Sequence, residues 1–289
     1  MHPFSYARPE RLAEAVDLLL KHGPDARILA GGTDLILRIR DGTLTPRLVI
    51  DVKRIPELCS GIREERGRLV IGANTVMTDV AAHPLVRHHF QGLSEAAAVV
   101  GAVQIRNRAT LAGNLCNASP AADTAPPLLV YGAVVVAEGA EGTRRFPLDE
   151  FFVRSGVTTL RRGELVSAIE LPIPVRRMGA VHLRRTRRRG HDLASVTLCC
   201  GVDQAGTVRL AYGSVGPRPL LLSDETGVLA DPRGQETAKA AVLERMFAEA
   251  APSKTSMRAS PEYRLAMLRV LGSRAVRTAI ERLAQGGGR

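Results

Sequence analysis

The pentapeptide AGGTD, Ala30–Asp34, lies between a short apolar run, Arg27–Leu29, and the helix-like segment LILRIRDG that Gly42 stops. Two adjacent glycines at such a junction permit positive φ and close backbone approach, so the chain turns sharply there. The next apolar run, RLVIDV at Arg47–Val52, reads as a buried strand. Strand, loop, helix and strand in this order commit the N-terminal region to a small parallel sheet. Upstream, RPERLAEAVDLLLKHG reads as an amphipathic helix. Pro9 fits its first turn, Leu12, Ala15, Val16 and Leu19 share one face, and Gly23 ends it.

Further along, RLVIGANT (Arg68–Thr75) and GAVVVAEG (Gly132–Gly139) read as strands, and Thr78–Ala82 and Leu93–Val100 as helices. FPLDEFF leads into GELVSAIELPIP, a strand closed by prolines. From about Arg176 the character changes. AVHLRRTRRR, ASVTLCCGVD and TVRLAYGSVG make three strands of an antiparallel meander, followed by two helical stretches and a frayed GGGR tail. At 289 residues two domains are expected, 1–175 and 176–289, with the boundary near 173–178.

Aromatic residues make up 3% of the chain and tryptophan is absent, so aliphatic packing must build the core. The apolar run Ala125–Ala137 is too short to span a bilayer, and MHPFSYARPERL has no apolar signal-peptide core. A soluble, cytoplasmic protein is the expectation. Cys59, Cys116, Cys199 and Cys200 form no CxxC pair, and adjacent Cys199 and Cys200 in a strand point to opposite faces. No metal site and no iron–sulfur ligand set is assigned. The net charge of +11 is mostly arginine spread along the chain, with one dense cluster in LRRTRRRGHD. Without interleaved aromatics it reads as a solvated face or a subunit interface rather than a nucleic-acid site.

Catalytic signatures are also missing. There is no GxGxxG, no Gly-Lys pair for a Walker loop, and YGSVG (Tyr212–Gly216) lacks the GxSxG spacing. Two glycine loops remain. AGGTD and TLAGN (Thr110–Asn114) both let backbone N–H groups converge on an anion, with Thr33, Thr110 and Asn114 adding side-chain donors. A helix starting at Leu35 adds about half a positive charge at its N-terminus. Two such loops suit a diphosphate better than a single phosphate. Any redox or transfer chemistry then belongs to a cofactor or a partner.

ILAGGTDLI, IGANT, QIRNRATLAGNLCNASPAADTAPPLL, GELVSAIELP, HDLASV, GSVGPRPL and SPEYRLAML, in that order, resemble the blocks of the FAD-binding medium subunits of molybdenum hydroxylases, the xanthine and carbon monoxide dehydrogenase group. The resemblance spans nearly the whole chain and implies an α+β fold. Two subdomains of the vanillyl-alcohol-oxidase type, about 1–55 and 56–175, would clasp FAD, followed by a C-terminal domain with a three-stranded antiparallel sheet and helices. Carried over, Leu29, Ala30, Gly31, Gly32, Thr33, Asp34 and Leu35 form the first diphosphate loop, and Thr110, Gly113 and Asn114 the second. Asp123 accepts hydrogen bonds from the cofactor, its alternative role being to cap a turn before Pro126, and Ser119 lines the same loop. Val166 packs near the isoalloxazine, and Arg184 lies near the flavin, with Arg185 as the alternative. Where many relatives carry two glycines in the second loop, this chain has Ala112.

The resemblance further implies an electron-transfer subunit. Partners would be an iron–sulfur small subunit with 2Fe-2S clusters and a molybdopterin large subunit, in a dimer of heterotrimers that reduces an external acceptor. A stand-alone flavin oxidoreductase of related fold is the alternative, and an arginine-rich nucleic-acid-binding protein a remoter one.

Overall fold

The computed structural model describes residues 2–188 and 190–285. Arg189 of the LRRTRRRGHD cluster and the expected frayed tail lie outside them. The chain opens with β1 (Ser5–Ala7), α1 (Leu12–His22), β2 (Ala26–Leu29), α2 (Leu35–Arg40) and β3 (Leu48–Asp51). The three strands form a parallel sheet in the order β1-β3-β2. This is the predicted parallel unit with an extra edge strand, since SYA is too short to show a period. Helix α1 starts later than Pro9 suggests. Arg11 caps it in an extended conformation, and Glu14 reaches back to the Glu10 N–H and the Arg11 guanidinium. Gly23, at φ 51°, ends it.

Next come β4 (Ile62–Glu65) and β5 (Arg68–Gly72), then six short helices: α3 (Met77–Ala82), α4 (Pro84–His89), α5 (Gln91–Ala98), α6 (Val103–Arg106), α7 (Leu111–Cys116) and α8 (Ala125–Val130). Strands β6 (Val134–Gly139) and β7 (Gly142–Pro147), a small hairpin of β8 (Phe152–Arg154) and β9 (Val157–Thr158), and β10 (Leu165–Pro172) complete the unit. The main sheet is antiparallel, ordered β4-β5-β10-β6-β7. Its central strand β10 arrives last, after about ninety residues of intervening chain counted from β5 to β10. Leu69, Ile71, Val135, Ala137, Ile169 and Leu171 bury one face against the helices.

The C-terminal part holds β11 (Met178–Arg185), β12 (Val196–Asp203), β13 (Val208–Gly213) and β14 (Leu220–Asp224), then α9 (Glu236–Met246) and α10 (Pro261–Gln285). The antiparallel meander runs one strand further than the sequence pattern predicts, because LLLSD follows a Pro-rich turn that masks it. Both faces of this sheet are buried. Val181, Leu198, Cys200 and Tyr212 pack on Leu268, Ala275 and Val276 of α10, while Ala180, Cys199 and Ala211 join the core of the preceding unit. Cys199 and Cys200 thus face opposite ways, as strand alternation requires. Gly179 lets β11 touch the α10 backbone, since a Cβ there would lie 2.1 Å from the Ala279 carbonyl oxygen. Among the described residues no helix is long and apolar enough to cross a membrane.

Candidate functional site

After β2 the chain turns at Gly32, φ 75°, and the Gly32 carbonyl accepts from the Ile36 N–H as α2 begins. Leu29 is tucked beneath this turn. A Cβ on Gly32 would come within 2.8 Å of its Cδ1, so Leu29 shapes the loop without lining the cleft in front of it. Ala30, Gly31, Gly32, Thr33, Asp34 and Leu35 do line that cleft. Among the described residues, no acceptor takes the backbone N–H of Gly31, Gly32, Thr33 or Asp34. A run of unpaired N–H groups at a turn into a helix is a nest for an anion.

The second glycine segment is a helix start rather than a loop. Residues 109–111 lie alongside 75–77: the Met77 N–H donates to the Ala109 carbonyl and the Leu111 N–H to the Thr75 carbonyl. Helix α7 follows. The Thr110 hydroxyl caps it by accepting from the Gly113 N–H at 3.1 Å, so this donor and this hydroxyl are already paired. Ala112 is an ordinary buried helix residue, which is why a Cβ is tolerated there. The Asn114 Oδ1 accepts from the Thr124 hydroxyl at 2.7 Å. Thr110, Gly113 and Asn114 all line the same cleft as the first loop.

What joins the two segments is Gly31. A Cβ there would stand 2.1 Å from the Arg108 carbonyl oxygen and 2.9 Å from the Ala109 Cα. Stretches some eighty residues apart are therefore in backbone contact, and glycine is required at the crossing. The sequence showed the need for close approach; it did not show that the partner is protein.

Asp123 closes the far end. It is 7% exposed, and the Arg184 Nη1 donates to its Oδ2 at 2.6 Å. Its Oδ1 is buried without a donor; the His182 Nε2 stands 3.7 Å away and is paired with the Thr197 Oγ1 at 2.9 Å. Burial raises the Asp123 pKa, against the opposing pull of Arg184 and Thr197. Burial, followed by Arg184, depresses His182 to about 3, so its ring is neutral. Arg184 is not a cleft wall but acts on Asp123 from behind. Arg185, on the opposite strand face, donates to the Tyr263 hydroxyl instead. Ser119 accepts from the Ala121 N–H and lines the cleft with Asp123.

The cleft measures about 690 Å³, within the range of cofactor sites. Val166 lines it at a β-bulge in the pairing of β10 with β6. Sequence reasoning assigned no role to Asn74 of IGANT. Its Nδ2 donates to the Val52 and Leu58 carbonyls, tying the first sheet to the second beside the cleft. His182, Thr197 and the mouth residues His191, Asp192 and Leu193 were also missed, although HDLASV was the signal for the last three. Asp192 pairs with Arg187, whose hydrogen bonds hold its carboxyl well below the usual range. The unpaired N–H run, the buried carboxylate and the volume between them fit an elongated dinucleotide such as FAD.

Comparison with known proteins agrees. Residues 2–174 match the family described as the FAD binding domain in molybdopterin dehydrogenase, and residues 182–279 the carbon monoxide dehydrogenase flavoprotein C-terminal domain. The chain is 30% identical to the xanthine dehydrogenase FAD-binding subunit of Escherichia coli O157:H7 over 283 residues, 96% of each chain. It is 32% identical to the carbon monoxide dehydrogenase medium chain of Hydrogenophaga pseudoflava, covering 97% of this chain and 98% of that one. A solved carbon monoxide dehydrogenase from the same organism superposes with a TM-score of 0.88 at 31% identity, over 98% of this chain and 99% of that one. The chain belongs to the family of FAD-binding subunits of molybdenum hydroxylases.

Proposed function

We propose that this chain holds FAD across the cleft and serves as the electron-transfer subunit of a heteromeric molybdenum hydroxylase. It would take electrons from the 2Fe-2S clusters of a small subunit, supplied by a molybdopterin large subunit, and pass them to an external acceptor. The assembly is a dimer of heterotrimers. The observation that carries this reading is the backbone crossing at Gly31, which brings the unpaired N–H run and the α7 N-terminus to one cleft.

FAD supplies two-electron chemistry when bound; the protein supplies position and electrostatics. The N–H groups of Gly31–Asp34 would hold the diphosphate, with the Asn114 side chain supporting the same end. The Asp123 carboxylate, held by Arg184, offers an acceptor to a cofactor hydroxyl. Val166 provides an apolar wall. The test is to purify the complex, release its chromophore and identify it. FAD, with iron–sulfur and molybdopterin chains co-purifying, supports the proposal; FMN or a colourless complex overturns it.

A further inference from the structure

Two sequence blocks, GSVG and SPEYR, have no part in the cleft itself, yet they meet behind it. Arg264 of α10 is only 2% exposed, and its hydrogen bonds go to neutral oxygens. Its Nη1 donates to the Ser195 carbonyl at 2.8 Å and the Ser214 carbonyl at 2.7 Å; its Nη2 donates to the Ser256 hydroxyl and its Nε to the Ala259 carbonyl. A buried guanidinium is costly to desolvate, and here it spans the start of β12 and the end of β13.

Ser214 is itself fixed on three sides. Its φ is 66°, a conformation unfavourable for a residue with a Cβ. Its carbonyl accepts from Arg264, its hydroxyl donates to the Ala194 carbonyl at 2.9 Å, and its N–H donates to the Pro120 carbonyl at 2.6 Å. Pro120 belongs to the cleft loop that ends in Asp123. Gly213 presses on the same atom: a Cβ there would stand 2.5 Å from the Pro120 oxygen. The chain of contacts runs from α10 through the 214 turn to the loop lining the cleft.

We propose that Arg264 and Ser214 are positioning residues that set the Ser119–Asp123 loop, so that the C-terminal domain governs how tightly the cleft holds its ligand. The affinity arm rests on the FAD reading above; a second readout, amide hydrogen exchange of the loop, does not.

The variants are Arg264→Met, Arg264→Lys and Gly213→Ala, each in the full chain purified with its bound subunits. Circular dichroism and a thermal melt report folding. Deflavinated protein titrated with FAD gives the dissociation constant, and exchange is followed at Ala121 and Ala122. Arg264→Met is expected to weaken FAD binding about tenfold, the effect of losing one buried charge-assisted link, and to speed loop exchange. Arg264→Lys, which keeps the charge but not the fork, restores part of both. Gly213→Ala, which displaces Pro120 directly, reproduces both changes with Arg264 intact. A folded Arg264→Met protein with wild-type affinity and wild-type exchange overturns the proposal. If that variant does not fold, a Gly213→Ala protein with wild-type affinity and exchange overturns it instead. If the wild-type chain binds no FAD, the cofactor reading falls, and the exchange arm still decides whether the relay exists.

Discussion

His182 illustrates how a single side chain couples burial to acidity. It is enclosed among Asp123, Thr197 and Arg184, and its pKa falls from 6.5 to about 3. Between those values the unfolded chain binds a proton that the folded chain does not, so stability rises with pH across that window and is lost as pH falls through it. His182→Gln is expected to flatten this acid branch, removing a slope of up to about 1.4 kcal/mol per pH unit; urea melts at pH 4, 5, 6 and 7 measure it. An unchanged slope would show that His182 charges in the folded state. Gly31 makes a steric counterpart. Gly31→Ala drives a methyl into the Arg108 carbonyl, so the two segments must part. The expected outcome is a folded but flavin-free chain, read from the ratio of visible to ultraviolet absorbance after purification.

Secondary-structure elements carry their own predictions. Thr110→Ala removes the N-cap of α7 and leaves the Gly113 N–H unpaired; a loss of about 1 kcal/mol in chemical denaturation is expected. Just before β10, Glu164 receives the Arg144 Nε at 2.9 Å and Nη2 at 2.6 Å and the Arg161 N–H at 2.7 Å. These bonds lower its pKa, so their stabilisation is present above the ordinary carboxylate value and is lost as pH falls through the folded one. Glu164→Gln should cost about 1–2 kcal/mol at pH 7, with the difference vanishing in acid. Elements with clear periodicity, α1, β5, β6 and β10, were legible in the sequence because their apolar spacing is local. β1, β4 and β14 were not: the first two are short, and the third sits beyond a Pro-rich turn. The first glycine loop was legible as a nest. The second was read as a loop because a capping threonine with a glycine three residues on has the same composition as a turn. The Arg184–Asp123 pair spans sixty-one residues, and no spacing rule encodes it.

At the scale of the whole molecule, the C-terminal sheet is the organising layer. One face packs on α10, and the other joins the first core through Ala180, Cys199 and Ala211. The Arg282 guanidinium of α10 pairs with Glu95 of α5, whose carboxylate also accepts from the His182 N–H. With so much surface shared, calorimetry of the full chain is expected to show a single cooperative transition; two resolved transitions would show that the halves melt independently. A fragment ending at residue 175 would expose that apolar seam and is expected to aggregate. Production of the protein in the cell therefore has an order. A nascent chain that has emerged through Pro172 holds the Gly31–Asp34 turn but lacks Arg184, Thr197 and the Ser214 turn, so flavin loading is expected only after that turn has emerged.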